Sequence, residues 1–225
     1  MTLLNCTVCL MLGYFVGGIN PAYLISRARG FDIRKKGSGN AGASNAVILM
    51  GKKVGAMVAF FDILKAYVIV TVAALLFPTF QQAKILTGIA CILGHVFPVF
   101  MRFRGGKGLA SLGGFILAYD WRVFVALVFS ELILVLIVDY ICFVPITVSA
   151  VFPVIYAVRE DDMIGAFLFL SVTAVILYKH MANLHRIRKG TEIHFSYLWR
   201  KDKELERIRA RAGGSDEEFH DTFHT

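Results

Sequence analysis

Apolar runs long enough to cross a bilayer alternate along this chain with short polar connections. The runs fall at roughly 3–26, 54–77, 83–101, 108–119, 122–140, 143–158 and 163–182. A helix needs about 20 mostly apolar residues to span the hydrocarbon core, since each residue advances about 1.5 Å. The pattern predicts an all-α, polytopic integral membrane protein of about seven transmembrane helices. The fourth and sixth runs are short for a full crossing, so a tilted, kinked or partly re-entrant course is expected there. Pro145 and Pro153 in the sixth run add a reason for a kink or an irregular start.

Composition sharpens this picture. Hydrophobic residues make up 57% of the 225 and charged residues 18%, with a mean hydropathy of +0.65; a soluble domain is nearer about a quarter charged. The formal net charge of +8 is confined to a few stretches. Residues 27–53 carry Arg27, Arg29, Arg34, Lys35, Lys36, Lys52 and Lys53, residues 102–107 carry Arg102, Arg104 and Lys107, and ten more cations follow from Lys179 onward. The alternate connections near 78–82, 120–122 and 159–162 hold only Arg122 and Arg159. By the positive-inside bias the N-terminus lies outside and the C-terminus in the cytoplasm, which matches seven crossings. Basic clusters between apolar runs do not suit nucleic acid, because the aromatic residues lie mostly in the runs and form no stacking surface.

The first run has no basic residue before Arg27, so it reads as a membrane helix and not as a signal peptide. Residues 1–199 form the membrane domain, and 200–225 a basic tail. Within the tail, Arg200 to Ala212 reads as a short helix with Leu205 and Ile208 on one side, suited to an anionic lipid surface or to solvent. Gly213 to Thr225 is expected to be disordered. Cys6, Cys9, Cys91 and Cys142 all lie in apolar runs and read as small buried residues. No histidine has thiolate or carboxylate partners at ligand spacing, so neither a metal nor a cofactor is expected.

Three polar segments carry candidate chemistry. In Gly37-Ser38-Gly39-Asn40-Ala41-Gly42-Ala43-Ser44-Asn45, glycines alternate with small polar residues and lead into a helix. Such a chain turns several N–H groups toward one point, which suits an oxyanion or phosphate. Gly94-His95-Val96-Phe97-Pro98-Val99-Phe100 is followed by Arg102 and by Arg104-Gly105-Gly106-Lys107-Gly108. There the glycines allow close backbone approach, and Lys107 brings a mobile cation to a helix start. The spacing of a nucleotide-hydrolysing phosphate loop is absent. The third segment runs from His180 through Asn183 and Arg186 to Glu192. His180 and Asn183, three apart, share a helix face. Within the second run, Asp62 and Lys65 are also three apart and read as a structural pair facing the bundle interior, while Glu131 has no obvious partner.

Together these segments resemble the PlsY family, the bacterial membrane acyltransferases that use an acyl phosphate to acylate glycerol 3-phosphate. The family's S-G-N-x-G-x-[ST]-N corresponds to Ser38–Asn45. Its G-H-x-x-P-x-F with a basic G-G-K-G corresponds to Gly94–Gly108, and its H-x-x-N-[IL]-x-R with G-x-E to His180–Glu192. The match covers about 180 residues in order and includes Phe61-Asp62-Ile63-Leu64-Lys65. The resemblance implies a multi-pass enzyme of the bacterial plasma membrane with Ser38, Asn45, His180 and Asn183 at the catalytic centre. It also implies that Gly39, Asn40, Gly42, Gly94, His95, Arg104, Gly105, Gly106, Lys107 and Gly108 bind acyl phosphate and glycerol 3-phosphate, and that Glu192 organises the tail by pairing with a nearby arginine. One position departs. The family usually has an arginine three residues after the first motif's Asn, and this chain has Ile48. Lys35, Lys52, Lys53 or Arg104 is then expected to take the place of that guanidinium. The rival reading is a transporter or channel for a phosphorylated metabolite, which basic loops and buried charge also suit.

The orientation is directly measurable. A C-terminal reporter active only in the cytoplasm is expected to be active, and one active only outside the membrane to be silent; the opposite pattern contradicts the topology.

Overall fold

The structure, a computed structural model, describes residues 2–212. The expected disorder of Gly213 to Thr225 lies outside those residues. Ten α-helices carry the described chain: α1 Thr2–Gly17, α2 Pro21–Ala28, α3 Ala43–Met50, α4 Lys52–Leu76, α5 Ala83–Val96, α6 Leu109–Tyr119, α7 Trp121–Val138, α8 Phe143–Glu160, α9 Met163–Lys189 and α10 Lys201–Ala212. Short 3-10 turns stand at Ile33–Lys35, Val99–Met101 and Phe195–Leu198.

Among the described residues, six stretches are long and apolar enough to cross a membrane: Leu3–Ala28, Lys52–Leu76, Ala83–Met101, Trp121–Val138, Phe143–Glu160 and Met163–Lys189. The fourth run remains short as α6, whose 11 residues amount to roughly half a bilayer at about 1.5 Å each. The sixth run differs from expectation. It forms α8 over 18 residues, and Pro145 falls in its first turn, where a missing N–H costs nothing. Pro153 is carried inside that helix.

The first run is also not one continuous helix. It breaks at Gly18-Ile19-Asn20, and Asn20 caps α2 by accepting from the Tyr23 N–H at 2.8 Å. Pro21 follows at the first helical position, which suits its fixed φ. The break leaves the Ile19 carbonyl without a helical partner. Lys65 of α4 supplies one, donating to it at 2.6 Å while pairing with Asp62 at 2.6 Å.

The main apolar core lies among α4, α5, α6, α8 and α9, around fully buried Phe115, Phe152 and Phe169. Their ring centroids are 5.0–5.5 Å apart. By contrast, α7 turns Phe129, Ile133, Leu136 and Ile137 outward, the face a helix offers to lipid. Lipid is as apolar as these side chains, so helix association inside a bilayer depends on close packing more than on hydrophobic burial. Gly94 shows that closeness: a Cβ there would overlap the Tyr14 carbonyl of α1. Gly94, expected at the substrate, lets α5 lie against α1. Glu131 also has a partner, since Thr147 donates to its carboxylate at 2.7 Å.

The tail helix α10 is held against the protein along one face, with its other face exposed. Arg207 donates to the Gly190 and Glu192 carbonyls at 2.5 and 2.6 Å, and the Glu204 carboxylate accepts from the His194 N–H at 2.7 Å. Ile208 is buried beside them. The helix therefore docks on the segment that follows α9, because its arginine satisfies the Gly190 and Glu192 carbonyls just past that helix's end.

Gly94→Ala is expected to cost about 1–3 kcal/mol by overpacking, read as a lower unfolding temperature in detergent. An unchanged temperature contradicts the close α1–α5 contact.

Candidate active site

The three polar segments meet at one end of the bundle. The first loop is built on Asn45, which is fully buried in α3. Its Oδ1 accepts from the Ser38 N–H at 2.9 Å, and its Nδ2 donates to the Ile33 and Lys36 carbonyls at 3.0 and 3.1 Å. The amide is thereby consumed in folding the loop, and Ser38 and Gly39 are left exposed at its rim. Asn20, which sequence reasoning missed, adds a second tie by donating to the Ala41 carbonyl at 2.9 Å. Gly42 caps α3. Arg34 joins this loop to the next, donating to the Met101 carbonyl at 2.7 Å while its guanidinium forks onto Asp32. Those Arg34 hydrogen bonds hold the Asp32 carboxyl down at about 2.

The second segment turns sharply after α5. Gly105 and Gly106 donate to the Val96 and His95 carbonyls, each at 3.1 Å. A Cβ on Gly106 would overlap the His95 ring, and one on Gly105 the His95 carbonyl. These glycines therefore let the loop fold down onto His95. His95 itself is 3% exposed. Its Nδ1 lies 3.1 Å from the Lys65 ammonium and 3.3 Å from the Asp62 carboxylate. The ring expected at the substrate is thus part of the buried support beneath the loop, together with the pair expected to be structural. Gly108 caps α6 in the left-handed region.

The third segment supplies the wall. His180 and Asn183 are buried on one face of α9. His180 Nδ1 lies 2.7 Å from the Ile176 carbonyl. A carbonyl only accepts, so Nδ1 carries the proton, and in the neutral ring Nε2 keeps its lone pair. Lys107 donates to the Asn183 side-chain oxygen. Asn183 in turn donates to Glu192 at 2.5 Å, and the other Glu192 oxygen accepts from Arg186 at 2.6 Å. Burial, helped by nearby Arg186, pushes the Lys107 ammonium down from 10.5 to about 8.

Between the segments lies a cleft of about 200 Å³, lined by Ser38, Gly39, Asn40, Arg104, Gly105, Lys107 and Lys179. None of these residues is acidic. Lys179 was not singled out in the sequence, although its place immediately before His180 at the inner end of a helix was a usable signal. Of the four cations considered as replacements at Ile48, Arg104 lines the cleft, whereas Lys35, Lys52 and Lys53 are exposed away from it.

Asn45→Ala strands the Ser38 N–H and two carbonyls, which loosens the loop. Activity is expected to fall by about tenfold or more through misplacement, with helical circular dichroism unchanged; full activity contradicts the clamp.

The glycerol-3-phosphate acyltransferase family model matches residues 7–190. The glycerol-3-phosphate acyltransferase of Lactiplantibacillus plantarum is 32% identical over 206 residues, covering 89% of this chain and 98% of its own. The crystal structure of PlsY (YgiH), an integral membrane glycerol 3-phosphate acyltransferase, in its glycerol 3-phosphate form is 31% identical. It superposes with a TM-score of 0.79 over 86% of this chain and 96% of its own. The lysophosphatidic acid form gives 0.74 at 30% identity, over 84% and 94%. With half its length well exceeded by the family match and its helices superposing on a solved relative, this chain belongs to the glycerol-3-phosphate acyltransferase family.

Proposed function

We propose that this membrane acyltransferase moves a fatty acyl group from an acyl phosphate to glycerol 3-phosphate, giving lysophosphatidic acid and inorganic phosphate for phospholipid synthesis. The observation that carries the donor assignment is the cleft, which gathers three cations beside a glycine-rich loop and has no acidic lining. Two phosphate-bearing substrates repel each other, and fixed positive charge in a site of low dielectric offsets that repulsion where the carbonyl reacts. The related structures are described in glycerol 3-phosphate and lysophosphatidic acid forms, the acceptor and product of this reaction. Family membership favours this enzyme over a transporter.

In the reaction the acceptor hydroxyl oxygen bonds to the acyl carbonyl carbon. The bond from that carbon to the phosphate oxygen breaks, its electron pair leaves with phosphate, and the hydroxyl proton ends on the departing phosphate. Phosphate leaves readily, so positioning carries much of the rate and a strong enzymic base is not required. His180, held through Nδ1, offers Nε2 to the acceptor hydroxyl. Ser38 with the Gly39–Asn40 backbone, and Lys107 steadied by Asn183, hold phosphate oxygens. Asn45 and Glu192 act through the groups they position. The acyl chain remains among the helices, in lipid. The site faces the cytoplasm, with the N-terminus outside.

Purified protein in lipid, given acyl phosphate and glycerol 3-phosphate, is expected to release phosphate and form lysophosphatidic acid in equal amounts. No product in any lipid condition contradicts the reading. The pH profile follows from Lys107. Its ammonium is charged below about 8, so kcat/KM, which reports the free enzyme, falls as pH rises through that value. Stability moves the other way. Between about 8 and the ordinary 10.5 the unfolded chain binds more protons than the folded one, so folding becomes more favourable as pH rises. A flat kcat/KM from pH 7 to 9.5 contradicts a charged role for Lys107.

A further inference from the structure

Ile48 leaves a gap in the phosphate-binding set, and the fold shows what fills its surroundings. Its side chain packs against the apolar cluster that holds Ala41, Leu49 and Met101. The nearby Arg34 is engaged with Asp32 and the Met101 carbonyl. Arg104 reaches the cleft but is largely exposed, following two residues with left-handed φ, Arg102 and Phe103. Lys107 also lines the cleft, with one of its three donors given to Asn183.

Lys179 stands in a different situation. It is half-buried on α9, lines the cleft beside Ser38 and Lys107, and precedes His180. Its ammonium lies 5.7 Å from the centroid of the Phe97 ring. Phe97 is fixed in turn, because its carbonyl accepts from the Tyr14 hydroxyl at 2.7 Å. Among the described residues no carboxylate pairs with Lys179, although Asp62, Glu131 and Glu192 all have partners. A half-buried ammonium without a counter-charge is costly, and such charges at the edge of a membrane bundle mark a place where an anion arrives.

We propose that Lys179 is a second phosphate-gripping cation beside Lys107, standing in for the guanidinium that Ile48 replaces. The inference rests on the acyl-transfer reading. Its ligand is a phosphate monoester or acyl phosphate group, supplied by either the acceptor or the donor. Lys179 presents a compact charge with three rotatable donors where an arginine presents a planar fork, so the phosphate is held by charge more than by orientation. The Phe97 ring face attracts the ammonium at the cleft's edge.

The test uses the full chain in lipid with four variants: Lys179→Ala, Lys179→Met, Lys179→Arg and the double variant Lys179→Ala with Ile48→Arg. Glycerol 3-phosphate binding is measured by calorimetry, and KM is measured for each substrate at saturation of the other. Lys179→Ala and Lys179→Met are expected to weaken one substrate by on the order of tenfold, the scale of a lost charged hydrogen bond. A change confined to glycerol 3-phosphate assigns the acceptor, and one confined to acyl phosphate assigns the donor. Lys179→Arg retains most of the affinity, and Ile48→Arg restores most of what Lys179→Ala loses. Lys179→Met keeps an apolar stem of similar length, so it separates loss of charge from loss of packing. Unchanged affinity for both substrates in Lys179→Met overturns the proposal, as does a double variant no better than Lys179→Ala. If the wild type binds glycerol 3-phosphate and Lys179→Met does not, yet no lysophosphatidic acid forms, the transferase reading fails while the grip by Lys179 stands.

Discussion

The site depends on holding the Lys107 ammonium where water is scarce. Removing an ammonium from water is costly, and a facing carboxylate would answer that cost but would also neutralise the charge needed for phosphate. The fold gives Lys107 a neutral acceptor, the Asn183 side-chain oxygen, and places the carboxylate one step further away, on Glu192. Arg186 then closes the chain on the other Glu192 oxygen. Positive charge is thus steadied without being cancelled. The same chain ties the second polar segment to the third, so the electrostatics and the shape of the site share one set of bonds. Docking of α10 extends it, because Arg207 holds the Glu192 carbonyl.

A second buried charge group supports the floor. Asp62, Lys65 and His95 meet beneath the Gly105-Gly106 turn, and Lys65 also satisfies the Ile19 carbonyl at the break between α1 and α2. The break, the turn and the first loop come together at Ala41, whose carbonyl accepts from Asn20 and stands against Gly106. Glycine is required at 106 because any side chain there would enter the His95 ring. What reads along the chain as a set of flexible, phosphate-seeking glycines is divided in space between cleft lining and backbone contact.

The helical membrane fold was legible because bilayer thickness imposes a length on apolar runs, and all seven runs lie on helices. The divided first run was not legible: Gly17-Gly18 looks like tolerated small residues until Asn20 is seen capping a new helix. The chemistry was legible as three segments, and Lys107, His180 and Asn183 do come together. Their separate tasks were not legible. Whether Asn45 or His95 faces a ligand or supports a loop depends on which groups from other segments lie within hydrogen-bonding reach, and spacing along a chain does not carry that information. Lys179 was hidden for a related reason, since one more cation at a helix end reads as an orientation signal.

The most direct measurement is a structure determined with glycerol 3-phosphate bound. The account places its phosphate in the cleft, within hydrogen-bonding distance of Lys107 and the Ser38–Asn40 backbone, with the glycerol hydroxyls toward His180. Phosphate bound instead away from Lys107, for example at the groove of Asp139, Ser196 and Arg200, would contradict it.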